Sequence, residues 1–90
     1  MKIIKPKFDI EIEEYTFLGR GPEATGEETG WQRLNDIFFR CIECGDMLQS
    51  TTNEDYQCQC GSMCIDADYH RFGSDHGDIN VLVYESKSKN

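Results

Sequence analysis

Five cysteines carry the recognisable chemistry of this sequence, and four of them fall into two pairs. Cys41-Ile-Glu-Cys44-Gly45 and Cys58-Gln-Cys60-Gly61 each place two thiols across a tight turn, thirteen residues apart. Zinc has no geometric preference of its own and accepts four thiolates tetrahedrally. A Cys pair separated by one or two residues chelates if the backbone reverses between its members. A glycine after the second cysteine permits positive φ, which lets amide N–H groups turn toward sulfur. The spacing therefore points to a structural Zn²⁺ on Cys41, Cys44, Cys58 and Cys60. Such a site is closed, because four thiolates leave no position for substrate, whereas catalytic zinc keeps one open.

Cys58-x-Cys60 is tighter than a two-residue spacer, so Cys60-x-x-x-Cys64 stands as an alternative second pair, although no glycine follows Cys64. On the preferred assignment Cys64 is a buried free thiol. Disulfides would need an oxidising compartment and would leave one cysteine over. A redox Cys-x-x-Cys belongs at the start of a helix in a βαβ setting, and no such pattern surrounds Cys41.

The elements that must present these thiols read as strands. Residues 3–18 form a predicted N-terminal strand region, with Phe8, Ile10 and Ile12 alternating with Asp9, Glu11 and Glu13. Residues 19–30 are a Gly-rich acidic loop. Its Gly21-x4-Gly26 spacing has Glu27-Glu28 where a phosphate loop needs Lys and Ser/Thr, which argues against nucleotide binding. A strand over 35–41 runs into the first pair, 47–51 leaves it, 52–55 turns, and 56–58 returns to the second pair. Residues 64–72 alternate as one strand, 73–77 turn, and 78–85 form a strand apolar on both faces, hence central or covered. The expected fold class is mostly β, a small antiparallel sheet with a zinc-ribbon-like pair of knuckles. The expected organisation is one domain over 1–90, with its zinc-ribbon-like region at 37–85 and a tail at 86–90.

Composition narrows the function. The 90 residues carry a formal net charge of -8, and four thiolates on Zn²⁺ add roughly two negative charges more. From Cys41 to Ser86 one arginine, Arg71, faces nine carboxylates, the opposite of the basic patch that nucleic-acid binders show. The opening residues 1–7 start positive but lead into no seven-residue apolar run, so no signal peptide is expected, and no stretch reaches membrane-spanning length. A cytoplasmic setting is expected, where thiols stay reduced and bind metal.

On a single strand Asp66, Asp68 and His70 would share one face. Successive same-face side chains lie about 7 Å apart, too far for one chelate or acid–base pair. The face reads first as the wet side of a strand; the further option is recognition of a basic partner, to which Glu54 in the turn would add. Trp31, the one tryptophan, is a candidate anchor beside the glycine loop. These five residues are the candidate partner-binding set. No serine, cysteine or lysine has a recognisable catalytic setting, so no enzyme is expected.

The motifs Phe39-Arg40-Cys41-x-x-Cys44-Gly45-Asp46, Tyr56-x-Cys58-x-Cys60-Gly61 and Ile65-Asp66-x-Asp68-Tyr69-x-Arg71 resemble a family of small, largely uncharacterised bacterial and phage zinc-ribbon-like proteins. The resemblance covers about 38–84. It implies metal ligands at Cys41, Cys44, Cys58 and Cys60, with Cys64 where relatives carry another residue type. Some members resemble immunity proteins that neutralise a cognate toxin. The expectation that follows is an acidic, zinc-stapled immunity or inhibitor protein binding the basic active-site region of a toxin, such as a nuclease. The alternative is a non-inhibitory zinc-ribbon adaptor of phage or bacterial machinery.

Overall fold

A computed structural model describes residues 3–25, 36–52, 54–66, 71–75 and 77–87. Among these residues the chain is mostly β and arranged as two antiparallel sheets rather than one. The first has four strands in the order β1 (Tyr15–Arg20), β7 (Val81–Ser86), β2 (Ile37–Cys41) and β3 (Met47–Gln49). The second has three, β4 (Tyr56–Gln57), β5 (Met63–Asp66) and β6 (Arg71–Ser74). Single 3₁₀ turns, Pro22–Thr25 and Asp78–Asn80, follow β1 and precede β7. Among the described residues no helix is long and apolar enough to cross a membrane.

β7 explains why its sequence is apolar on both faces. It lies between β1 and β2, and Val81, Leu82, Val83 and Tyr84 are all fully buried. Register sorts the faces: Phe39 opposes Val83 and Cys41 opposes Val81, whereas Phe38 opposes Tyr84. The Phe39/Val83 face joins Met63 and Ile65 of the second sheet in one core. Phe39 and Phe72 close the gap between the sheets, their ring centroids 4.4 Å apart. The Tyr84 face takes the N-terminal arm.

That arm departs from the predicted strand over residues 3–18. Only 15–20 enter the sheet, and one isolated bridge, Ile12 to Tyr15, precedes them. Burial along the arm still alternates, with Phe8, Ile10 and Ile12 half-buried and Asp9, Glu11 and Glu13 exposed. Part of the arm's backbone is met by side chains of the sheet and of the Asp78–Asn80 turn instead of a ladder. Buried Asn80 accepts the Ile4 N–H at 2.7 Å, and Arg20 donates to the Ile4 carbonyl at 2.8 Å. Arg40 donates to the Asp9 carbonyl at 2.9 Å, and the Tyr84 hydroxyl donates to that of Ile10. The Lys7 ammonium meets Glu43 at 3.1 Å.

Other boundaries shift as well. β1 continues through Gly19 and Arg20, and Pro22–Thr25 is helical, so the expected loop at 19–30 begins later; residues 26–30 lie outside the described set. Ser86 still belongs to β7 rather than to a tail.

The predicted strand over 64–72 is a hairpin, in which Asp66 pairs with Arg71 and Ile65 with Phe72. The reason is parity. Side chains alternate faces along a strand, so an odd separation in one extended strand would send Ile65 and Phe72 to opposite faces. Reversal makes them direct partners, both turned to the core. With Met63 and Ile65 buried, Cys64 between them is exposed, not the buried thiol the sequence suggested.

Candidate metal centre

Two hairpin connections carry the cysteine pairs. In the β2–β3 connection the Cys41 N–H donates to the Asp46 carbonyl at 2.8 Å. In the β4–β5 connection the Cys58 N–H donates to the Met63 carbonyl at 3.1 Å. Each loop thus closes five residues after its first cysteine. Within them the second cysteine comes at a different place. The first loop runs Cys41-x-x-Cys44-Gly45, closed inside by Gly45 N–H to the Cys41 carbonyl at 2.9 Å. In the second, Cys60 and Gly61 arrive one residue earlier, and Gly61 N–H reaches the Cys58 carbonyl at 2.9 Å. Gly45 and Gly61 have φ of 78° and 81°, a left-handed conformation that favours glycine. The residue left over in the second loop is Ser62.

The turns bring the four sulfurs of Cys41, Cys44, Cys58 and Cys60 within 4.8 Å of one another. Cys41 Sγ lies 3.4 Å and Cys58 Sγ 3.6 Å from Cys60 Sγ. A tetrahedron with Zn–S bonds of about 2.3 Å has edges of about 3.8 Å, so the set fits a metal of that size. Cys41 and Cys58 are part of the hydrophobic core, Cys44 packs against it, and Cys60 faces solvent. Cys64 stands outside this group. Thiolates are soft donors, suited to zinc and similar ions.

Donors surround the sulfurs. The Met63 N–H points at Cys58 Sγ from 3.2 Å. The Ser62 hydroxyl, on a residue only 6% exposed, lies 3.1 Å from Cys41 Sγ, 3.3 Å from Cys60 Sγ and 3.8 Å from Cys58 Sγ. These contacts spread the thiol acidities. Burial pushes the Cys41 thiol up to about 12, against the opposing pull of the Ser62 hydroxyl and the Cys44 and Glu43 amides. The hydroxyl and amide of Ser62 hold Cys60 down at about 6. For Cys58, burial raises the value, but the Met63 amide and Ser62 outweigh it and the net direction is down. Burial pushes the pKa of the Tyr56 phenol up, helped by the charges of Asp46, Cys58 and Cys44.

Sequence reasoning passed over two residues here, Asp46 and Ser62. Asp46 Oδ2 accepts the Gln59 N–H at 2.6 Å, so a side chain of the first loop holds the tip of the second. Both follow a knuckle glycine, and the short Cys58-x-Cys60 spacing was the available signal: it leaves a residue unaccounted for between Gly61 and β5.

The candidate partner residues are distributed differently. Glu54 is exposed beside β4, and Asp66 is half-buried at the end of β5. A shallow groove of about 300 Å³ adjoins them, lined by Asp55, Tyr56, Gln57, Cys64, Ile65 and Asp66. Trp31, Asp68 and His70 lie outside the described residues.

Residues 33–74 match a family model described as a domain of unknown function (DUF7695). The matched stretch runs from just before β2 through β6 and holds all five cysteines, but neither β1 nor β7. No curated protein and no solved structure matches the chain.

Proposed function

We propose that this chain is a non-enzymatic protein-binding module stapled by a structural Zn²⁺ on Cys41, Cys44, Cys58 and Cys60. The observation that carries the reading is the convergence of four sulfurs from two hairpin connections within 4.8 Å. Zinc suits four thiolates, and a full set of protein ligands leaves no position for substrate. The function then belongs to the surface, which is acidic: net charge is -8, with Glu54 and Asp55 exposed beside the groove on the second sheet.

An acidic surface steers onto a phosphate-binding cleft and can occupy it. The specific reading is a cytoplasmic immunity or inhibitor protein that neutralises a basic toxin, such as a nuclease, by covering its active-site region. The resemblance of the knuckle motifs to a family some of whose members resemble immunity proteins supports it. Affinity purification of the tagged chain from its native host, with zinc quantified in the purified protein, tests both levels. One zinc per chain and a stoichiometric basic partner inhibited at equimolar amounts are expected. A partner that binds without losing activity favours the adaptor role instead, and a chain free of zinc and other metals sinks the staple.

A further inference from the structure

We infer that Ser62 is the positioning residue of the metal centre: its hydroxyl links sulfurs of both knuckles and fixes the direction of Cys60. The inference rests on the reading of the four thiols as a metal centre. Ser62 Oγ reaches Cys41 of the first knuckle at 3.1 Å and Cys60 of the second at 3.3 Å. A buried hydroxyl needs a partner, and sulfurs stand at hydrogen-bond distance here.

The need for such a residue follows from the loop. Cys41 and Cys58 are held by the core around them, whereas Cys60 is exposed. Cys60 also sits one place earlier in its loop than Cys44 does in the first, so the two halves of the centre are not equivalent. An exposed thiol on a short turn has several rotamers open to it. The Ser62 hydroxyl favours the one directed at Cys41 and Cys58.

The framework places Ser62 independently of any metal. Gly61 turns the chain before it, Met63 begins β5 directly after it, and its carbonyl accepts the Asp75 N–H at 2.8 Å from the end of β6. Partners that orient metal ligands commonly matter 10- to 100-fold in affinity.

The test uses Co²⁺ as a spectroscopic probe on the full-length chain. Wild type should bind one Co²⁺ with the d–d and sulfur-to-metal charge-transfer bands of a tetrahedral thiolate site. Ser62→Ala should bind about 10- to 100-fold more weakly, show shifted d–d bands, and release the ion faster to a chelator. Ser62→Thr and Ser62→Val have nearly the same volume and differ by the hydroxyl, so they separate hydrogen bonding from packing even if Ala disturbs the fold. Thr should bind at least about tenfold more tightly than Val. Equal affinity and spectra for wild type and Ala, or for Thr and Val, overturn the role of Ser62 and leave the metal centre standing. A wild-type chain that binds no Co²⁺ overturns the metal centre, and Ser62's part in it.

Discussion

Phe8 packs directly on Gly45: its Cδ1 lies 3.3 Å from where a Cβ on that glycine would stand. The N-terminal arm is thereby seated on the first knuckle. Arg40 binds the same place from the sheet, its guanidinium 3.8 Å from the Phe8 ring centroid and its Nε donating to the Gly45 carbonyl at 3.1 Å. The arm, the first sheet and the cysteine turn meet at one residue.

Gly45→Ala should therefore be costly in two ways. Alanine at φ 78° costs about 1–2 kcal/mol in backbone conformation, and the new methyl would press on the Phe8 ring. Chemical denaturation of the metal-loaded protein should show a loss of at least that size. A stability equal to wild type would mean the turn tolerates another conformation.

Arm docking is expected to depend on the shape of Arg40, not only on its charge. The guanidinium donates to the Asp9 and Gly45 carbonyls while covering Phe8, and lysine has no planar fork to repeat this. Arg40→Lys should destabilise by about 1–3 kcal/mol and speed tryptic cleavage after Lys7 under native conditions. Unchanged cleavage after Lys7 would show that the arm is held elsewhere.

The five cysteines should divide sharply. Cys41→Ser or Cys60→Ser is expected to abolish metal retention and loosen both hairpin connections, because binding energy at such a site is folding energy. Cys64→Ala, at an exposed position outside the sulfur cluster, should change stability by no more than about 0.5 kcal/mol. Alkylation followed by mass spectrometry should modify Cys64 alone in the metal-loaded chain. Protection of Cys64 together with loss of protection at Cys58 would reassign the ligands.

Metal affinity should rise with pH. Burial holds the Cys41 thiol at about 12, so without metal it is protonated at pH 7, and binding must expel that proton. Cys60, held at about 6, is mostly thiolate at neutral pH and takes up a proton as pH falls through 6. Competition by protons therefore steepens below pH 6. Co²⁺ titrations between pH 5.5 and 8 should show affinity falling with acidity, and faster at the low end. A flat profile would be incompatible with thiolate ligation.

Much of the architecture was legible because it rests on short-range patterns. Paired cysteines with trailing glycines mark the turns, and the apolar runs at Ile37–Cys41 and Val81–Ser86 give β2 and β7. Periodicity misled where it reports burial but not bonding. Phe8, Ile10 and Ile12 do alternate, yet the arm's backbone is met at Ile4, Asp9 and Ile10 by Asn80, Arg40 and Tyr84, distant residues whose reach no local window contains. The hairpin at Met63–Ser74 was hidden for the converse reason: alternation looked continuous, and only the shared inward facing of Ile65 and Phe72 requires the reversal. Ser62 and Asp46 carry no periodic signal at all, since their roles exist only once the two loops are side by side.

The position of β7 bears on how this sequence could be cut, fused or exchanged. The stretch that matches the family model ends at residue 74, but Phe39 and Cys41 pair with Val83 and Val81 beyond it. A fragment trimmed to 33–74 would keep every thiol and lose the strand between β1 and β2, baring one edge of β2 and the apolar side chains β7 had covered. As a transferable cassette, the cysteine unit must bring its own C-terminal strand or land in a host that donates one.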